Sequence, residues 1–234
     1  MKTAIITMII ILTLTTFGYC QSKEQGETID ASINAFKQAI ATNPNFVEAY
    51  YNLGILYDEK GMVEEAIGAY NKTIELDANF VKAYNNLSVI YYKQKQLDKA
   101  IETIQSALAV SPDYIEALYN LGIYYYEKAQ YNEAIKTFKI TVKLNPEFDM
   151  GFYNLGVAYA AIDATDESIS AFKKVIEMNP QYSDAYYNLG VAYAKKNQFD
   201  EAIQLLKKAL EINPDDSKVH FALGIIYNAK DKAK

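Results

Sequence analysis

Two periods run through the hydrophobic and polar positions of this chain. Over short stretches, apolar residues fall at i, i+3, i+4 and i+7, as at Tyr50, Leu53, Gly54 and Tyr57. That spacing marks one face of a helix. Ala66, Tyr70 and Thr73 repeat the phase in a second stretch. Strand-like alternation appears nowhere, so the pattern predicts an all-α chain built from helix pairs.

The longer period is 34 residues. Four of the five prolines, Pro112, Pro146, Pro180 and Pro214, are 34 residues apart, and Pro44 lies on the same grid with Ala78 at the missing step. A leucine column runs Leu53, Leu87, Leu121, Leu155, Leu189 and Leu223, followed each time by Gly54, Ser88, Gly122, Gly156, Gly190 and Gly224. Tyr57, Tyr91, Tyr125, Tyr159, Tyr193 and Tyr227 come three further on. A small column follows (Ala66, Ala100, Ala134, Ser168, Ala202), and four residues later a bulky one (Tyr70, Ile104, Phe138, Phe172, Leu206). Glycine inside a helix costs about 1 kcal/mol relative to alanine, so a glycine column needs a reason, and close approach of the paired helix supplies one. The turn positions Gly61, Lys95, Ala129, Asp163 and Asn197 include three residues that accept left-handed backbone. Each proline ends one pair and starts the next.

The order Leu-Gly, Tyr, Ala, aromatic, Pro in a 34-residue period resembles the tetratricopeptide repeat. A first bulky column (Tyr50, Tyr84, Leu118, Phe152, Tyr186, His220) completes the likeness. The expected organisation is an export segment at 1–20, a linker at 21–26 and a half-repeat at 27–46. Five repeats then follow at 47–80, 81–114, 115–148, 149–182 and 183–216, with a final helix and tail at 217–234. One hairpin cannot bury its apolar face alone, and stacked neighbours make a continuous core. The resemblance implies a right-handed superhelical solenoid with a concave groove lined mainly by the first helices.

A second stripe follows those first helices, away from the packing columns. Asn52, Asn86, Asn120, Asn154 and Asn188 form one row, beside Tyr51, Asn85, Tyr119, Tyr153 and Tyr187. One turn on are Ile55, Val89, Ile123, Val157 and Val191. In the family such a stripe faces the groove. Side-chain amides carry donors and acceptors, tyrosines offer area with a polar handle, and together they are expected to bind an extended polypeptide. The same amides have an alternative role, fixing the hairpin. Chaperone-binding relatives grip a terminal carboxylate with several cations. Here Lys82 and Lys93 are the only such pair in one repeat, and acidic residues flank them.

Charge narrows the partners. The net charge is −6, which repels a phosphate backbone and makes nucleic acid an unexpected partner. The chain contains no arginine, the residue usually recruited for planar recognition of carboxylate or phosphate. No nucleophile–base set, metal-ligand spacing or phosphate-cradling glycine loop is present, so no catalytic or metal site and no cofactor is expected. The lone His220 sits in a packing column.

At the amino end, Lys2 precedes an apolar run from Ala4 to Leu14, and the first acidic residue is Glu24. This reads as an export signal, placing the protein in the periplasm or outside the cell. Three readings of its exit stay open: lipid attachment at Cys20, ordinary cleavage near Gly18, Cys20 or Ser22, or an uncleaved anchor. Tyr19 departs from the small residue that lipoproteins carry before their cysteine. At the other end, Phe221, Ile225 and Ile226 make the final helix unusually apolar for a cap, which raises self-association through it.

Overall fold

The proline grid and helical periodicity lead to a chain of helices of nearly constant length. The computed structural model describes residues 24–232, and the expected export segment with Cys20 lies outside them. The helices are α1 (Glu24–Thr42), α2 (Val47–Glu59), α3 (Val63–Leu76), α4 (Val81–Lys93), α5 (Leu97–Val110) and α6 (Ile115–Glu127). They continue as α7 (Tyr131–Leu144), α8 (Asp149–Ala161), α9 (Thr165–Met178), α10 (Ser183–Lys195), α11 (Phe199–Ile212) and α12 (Ser217–Lys232). No strand occurs among the described residues. The half-repeat helix α1 starts at Glu24, inside the stretch expected to be linker.

Two kinds of turn separate the helices. After a second helix, the residue before the proline is forced into extended backbone, as at Ser111 (φ −130°, ψ 92°), Asn145 (−128°, 91°) and Asn213 (−130°, 88°). An Asx side chain then accepts the amide two residues on: Asn145 Oδ1 from Glu147 at 3.1 Å and Asn179 Oδ1 from Gln181 at 3.2 Å. Asp77 adopts the same backbone (φ −140°, ψ 97°) without a following proline, its carboxylate accepting from the Asn79 N–H at 2.9 Å. The turn inside each hairpin is left-handed at all five positions, Gly61, Lys95, Ala129, Asp163 and Asn197. The geometry of the hairpin therefore overrides the preference of Lys95 and Ala129, at a cost of roughly 1–2 kcal/mol for each.

The glycine column is explained by contact. A Cβ on Gly54 would lie 2.5 Å from the Tyr70 ring, one on Gly156 2.8 Å from Phe172, and one on Gly190 3.1 Å from Leu206. The opposing small residues Ala66, Ala100, Ala134, Ser168 and Ala202 are fully buried. These two columns let paired helices meet at backbone distance.

The chain divides into two compact units, one ending at Tyr124 and one beginning at Tyr125. In the first, α2 packs on α3 and α4 on α5, with α1 against α2 and α3 against α4. Its core gathers Leu53, Tyr57, Ala66, Tyr70, Leu87 and Ile90. In the second, α8 packs on α9 and α10 on α11, while α7, α9 and α11 each meet the first helix that follows them. A terminal cluster around Leu206, Ala209, Val219, Leu223 and Ile226 closes it.

Candidate functional site

Three members of the asparagine row, Asn86, Asn120 and Asn188, form ties between successive repeats. In the first unit, Asn120 Nδ2 donates to Asn85 Oδ1 at 2.9 Å, one repeat back. Asn86 Nδ2 lies 3.3 Å from the hydroxyls of both Tyr51 and Tyr70, joining three helices. In the second unit, Asn188 Nδ2 donates to the Tyr153 hydroxyl at 3.0 Å and to the Asp184 carbonyl at 2.9 Å. Each tie links the asparagine of one repeat to the neighbouring column of the repeat before. Those two columns sit side by side on the helix, so adjacent first helices bring them face to face.

Six residues expected on an open flank are buried instead: Asn85, Tyr119, Asn120, Ile123, Tyr153 and Asn154. The physical reason is the closeness of neighbouring first helices: a side chain on the row meets its neighbour before it meets solvent. A buried amide must be paired: Asn85 Oδ1 accepts from Asn120, and Asn85 Nδ2 lies 3.4 Å from Asn86 Oδ1. Asn52, Asn86, Asn188, Tyr51, Tyr187, Ile55 and Val89 are half-buried and keep one side toward solvent. The Asn52 side chain makes no hydrogen bond among the described residues, within which no first helix precedes α2.

Burial raises the phenols that carry the ties. The Tyr51 and Tyr153 hydroxyls are pushed above their ordinary value mainly by burial, with the asparagine hydrogen bonds working in the opposite direction. For Tyr153 the nearby Asp184 carboxylate adds to the rise. All three phenols that accept from these amides, Tyr51, Tyr70 and Tyr153, stay protonated at neutral pH and act as structural acceptors.

Ion pairs reinforce the same steps. Lys93 bonds Asp58 at 2.9 Å, Lys195 bonds Asp163 at 2.9 Å, and Lys218 reaches Asp184 at 3.4 Å. Each is surface-exposed to some degree and contributes at most about 1 kcal/mol. Both lysines of the expected cationic pair are exposed, and Lys93 is committed to Asp58. The ties were missed in the sequence because each joins residues about one repeat apart; a signal was available in Asn85, which breaks a tyrosine column beside an asparagine row.

Among the described residues, no group of three or more His, Cys, Asp or Glu is placed to hold a metal, and no helix is long and apolar enough to cross a membrane. His220 is exposed and its Nε2 lies 2.9 Å from the Pro214 carbonyl.

Models of the tetratricopeptide repeat match residues 35–68, 80–144, 119–177, 183–216 and 205–234, and a TPR repeat model matches 56–95 and 164–197. The crystal structure of MamA is 30% identical, with a TM-score of 0.67, and the match covers 71% of this chain and 97% of that one. The chain belongs to the tetratricopeptide repeat family. YrrB, described as a TPR protein with an unusual peptide-binding site, is 29% identical with a TM-score of 0.72, covering 81% of this chain and 98% of that one. PilF of Pseudomonas aeruginosa, at 22% identity and a TM-score of 0.67, covering 80% of this chain and 86% of that one, shares the fold. A comparison with curated proteins gave no match. Tetratricopeptide repeat proteins are generally non-catalytic scaffolds that bind protein partners, and the likeness supports a protein-interaction scaffold.

Proposed function

We propose that this tetratricopeptide repeat chain is a cell-envelope adaptor that holds an extended segment of a partner protein against the flank of its first helices. The carrying observation is the half-exposed strip on α2 and α4. Ile55 and Val89 supply apolar area there, and the unpaired amide of Asn52 supplies a donor and an acceptor. Exposed Glu48, Glu59 and Lys82 border it. The tie from Asn86 on α4 to the Tyr51 hydroxyl on α2 supports the strip by fixing the spacing of its helices. In this reading Asn52 and Asn86 contact the ligand through their solvent side, while buried Asn120 does not touch it. The peptide-binding site ascribed to YrrB is consistent with this use of the fold. Placement in the envelope rests on the apolar segment after Lys2, with Cys20 as a lipid-attachment position.

The test is a selection of short random peptides on the full chain, followed by titration of the selected sequences. Replacing Ile55 and Val89 together by aspartate should weaken binding at least tenfold and leave the helical circular dichroism unchanged. Peptides that bind both proteins equally, or a selection that returns none, would remove the strip from the mechanism. Mass analysis of the protein recovered from its native membrane fraction checks the lipid: a diacylglycerol adduct on Cys20 is expected if it serves as anchor.

A further inference from the structure

We propose that α12 of one copy and α1 of the next close into a composite hairpin, joining copies head to tail. This goes beyond peptide capture and does not depend on it.

Helices α1 and α12 carry complementary halves of one repeat. Helix α12 carries the first-helix columns at His220, Leu223, Gly224 and Tyr227, and no described second helix follows it. Helix α1 carries the second-helix columns at Ser32, Phe36 and Ala39. Both halves show the face that a mate covers elsewhere. A Cβ on Gly224 would meet nothing within 4 Å, whereas Gly54, Gly156 and Gly190 are filled by Tyr70, Phe172 and Leu206. Tyr227 is 47% exposed, against 8% for Tyr57 in the same column. On α1, Ser32 and Phe36 are half-buried, although their counterparts Ala66 and Tyr70 are at 0% and 1%. Phe36 is the residue that the 34-residue count places against Gly224 of a preceding copy, and a phenylalanine on glycine is the pairing already present at Phe172 and Gly156.

A second pair of exposed residues follows the same count. Within each unit, an aromatic on the first helix packs on the aromatic that precedes the next first helix. Tyr51 meets Phe80 with ring centroids 4.8 Å apart, and Tyr153 stacks on Tyr182 at 5.0 Å. Phe221 holds the former position on α12 and is 70% exposed; Phe46 holds the latter before α2 and is 40% exposed. Continued into a second copy, the period sets Phe221 beside Phe46 of that copy. Charge agrees as well: the step that pairs Asp184 with Lys218 would next pair Lys218 with Glu48 of the second copy. Such a contact is heterologous, uses different surfaces on the two partners, and leaves a free end at each terminus of the assembly.

Sedimentation velocity of the full chain over a range of concentrations tests it. A weight-average mass that climbs past the dimer as concentration rises is expected. Gly224→Leu fills the open face of α12 without a clash in the single chain, and Phe46→Glu alters an exposed side chain ahead of α2. Each variant alone should stay monomeric with an unchanged helical spectrum. Mixed in equal amounts they should form a 1:1 dimer and nothing larger, since each keeps the end that the other lacks. A wild-type chain that stays monomeric at the highest concentration overturns the proposal. So does a dimer that survives Phe46→Glu alone, which would be a symmetric contact between two α12 helices.

Discussion

Hairpins α4–α5 and α8–α9 have the same backbone plan and each places one buried serine where the pattern offers glycine or alanine, but on opposite helices. Ser88 replaces the glycine of the first helix. Its hydroxyl donates to the Asn85 carbonyl at 2.7 Å and lies 3.1 Å from the Tyr124 hydroxyl, in the following repeat. Ser168 replaces the alanine of the second helix and donates to the Gly156 carbonyl at 3.0 Å, inside its own hairpin. In α4–α5 the polar atom links repeats, whereas in α8–α9 it closes one. The first hairpin accordingly has an amide, Asn85, where the second has Tyr153, and a buried phenol, Tyr124, waits in the next helix to receive the serine. The lesson is that a single buried hydroxyl contributes to cohesion along the stack or within a pair according to which helix bears it.

The largest expected effect is a loss of stability at alkaline pH. Burial pushes Tyr182 up to about 12 and raises Tyr124 and Tyr153 further. These phenols hold their protons in the folded chain past the unfolded value of about 10. Their contribution is fully present below pH ~10 and falls as the pH rises through 10 toward 12 and beyond, because the unfolded state then binds fewer protons. The urea midpoint should therefore drop steeply between pH 9 and pH 11.5 by roughly the amount that several buried phenols imply. A flat profile would show that these hydroxyls reach water.

Next in size is Gly156→Leu. Its Cβ alone would fall 2.8–3.0 Å from the Phe172 ring, and overpacking of this kind costs about 3 kcal/mol. Gly224→Ala, in the same column but facing nothing, should instead raise stability slightly, since alanine is the better helix former. Tyr124→Phe removes one hydrogen bond at Ser88, which keeps its bond to Asn85, so about 1 kcal/mol is expected. Ser168→Ala should cost about the same or less. A double-mutant cycle between Ser88 and Tyr124 should show coupling; one between Ser168 and Tyr124 should show none. The smallest effect is a gain: Ala129→Gly relieves left-handed backbone at φ 59° and should add about 0.5–1 kcal/mol, read as a higher melting temperature.

Helix order, hairpin turns and the reason for the glycine column could all be read in the sequence, because each depends on residues close together in the chain or on one strict period. The burial of Asn120 and the Asn85–Asn120 bond could not. They depend on which faces of two separate first helices touch, and periodicity records only that a face exists. The left-handed turns at Lys95 and Ala129 escaped for a different reason. Neither residue favours that backbone, and the two packed helices impose it. Periodicity named the columns of the candidate flank, but which members of each column stay in contact with water was decided by neighbours one repeat away.

Because the ties join equivalent positions in successive repeats, excising residues 81–114 has a definite outcome for the interior. Tyr51 would inherit the place of Asn85 opposite Asn120, restoring the phenol–amide pairing already used by Tyr51 with Asn86 and by Tyr153 with Asn188. Tyr124 would then face Gly54 instead of Ser88, and in the interior its hydroxyl would lose its mate, which Tyr124→Phe would mend. At the surface the Asp58 carboxylate would lose Lys93.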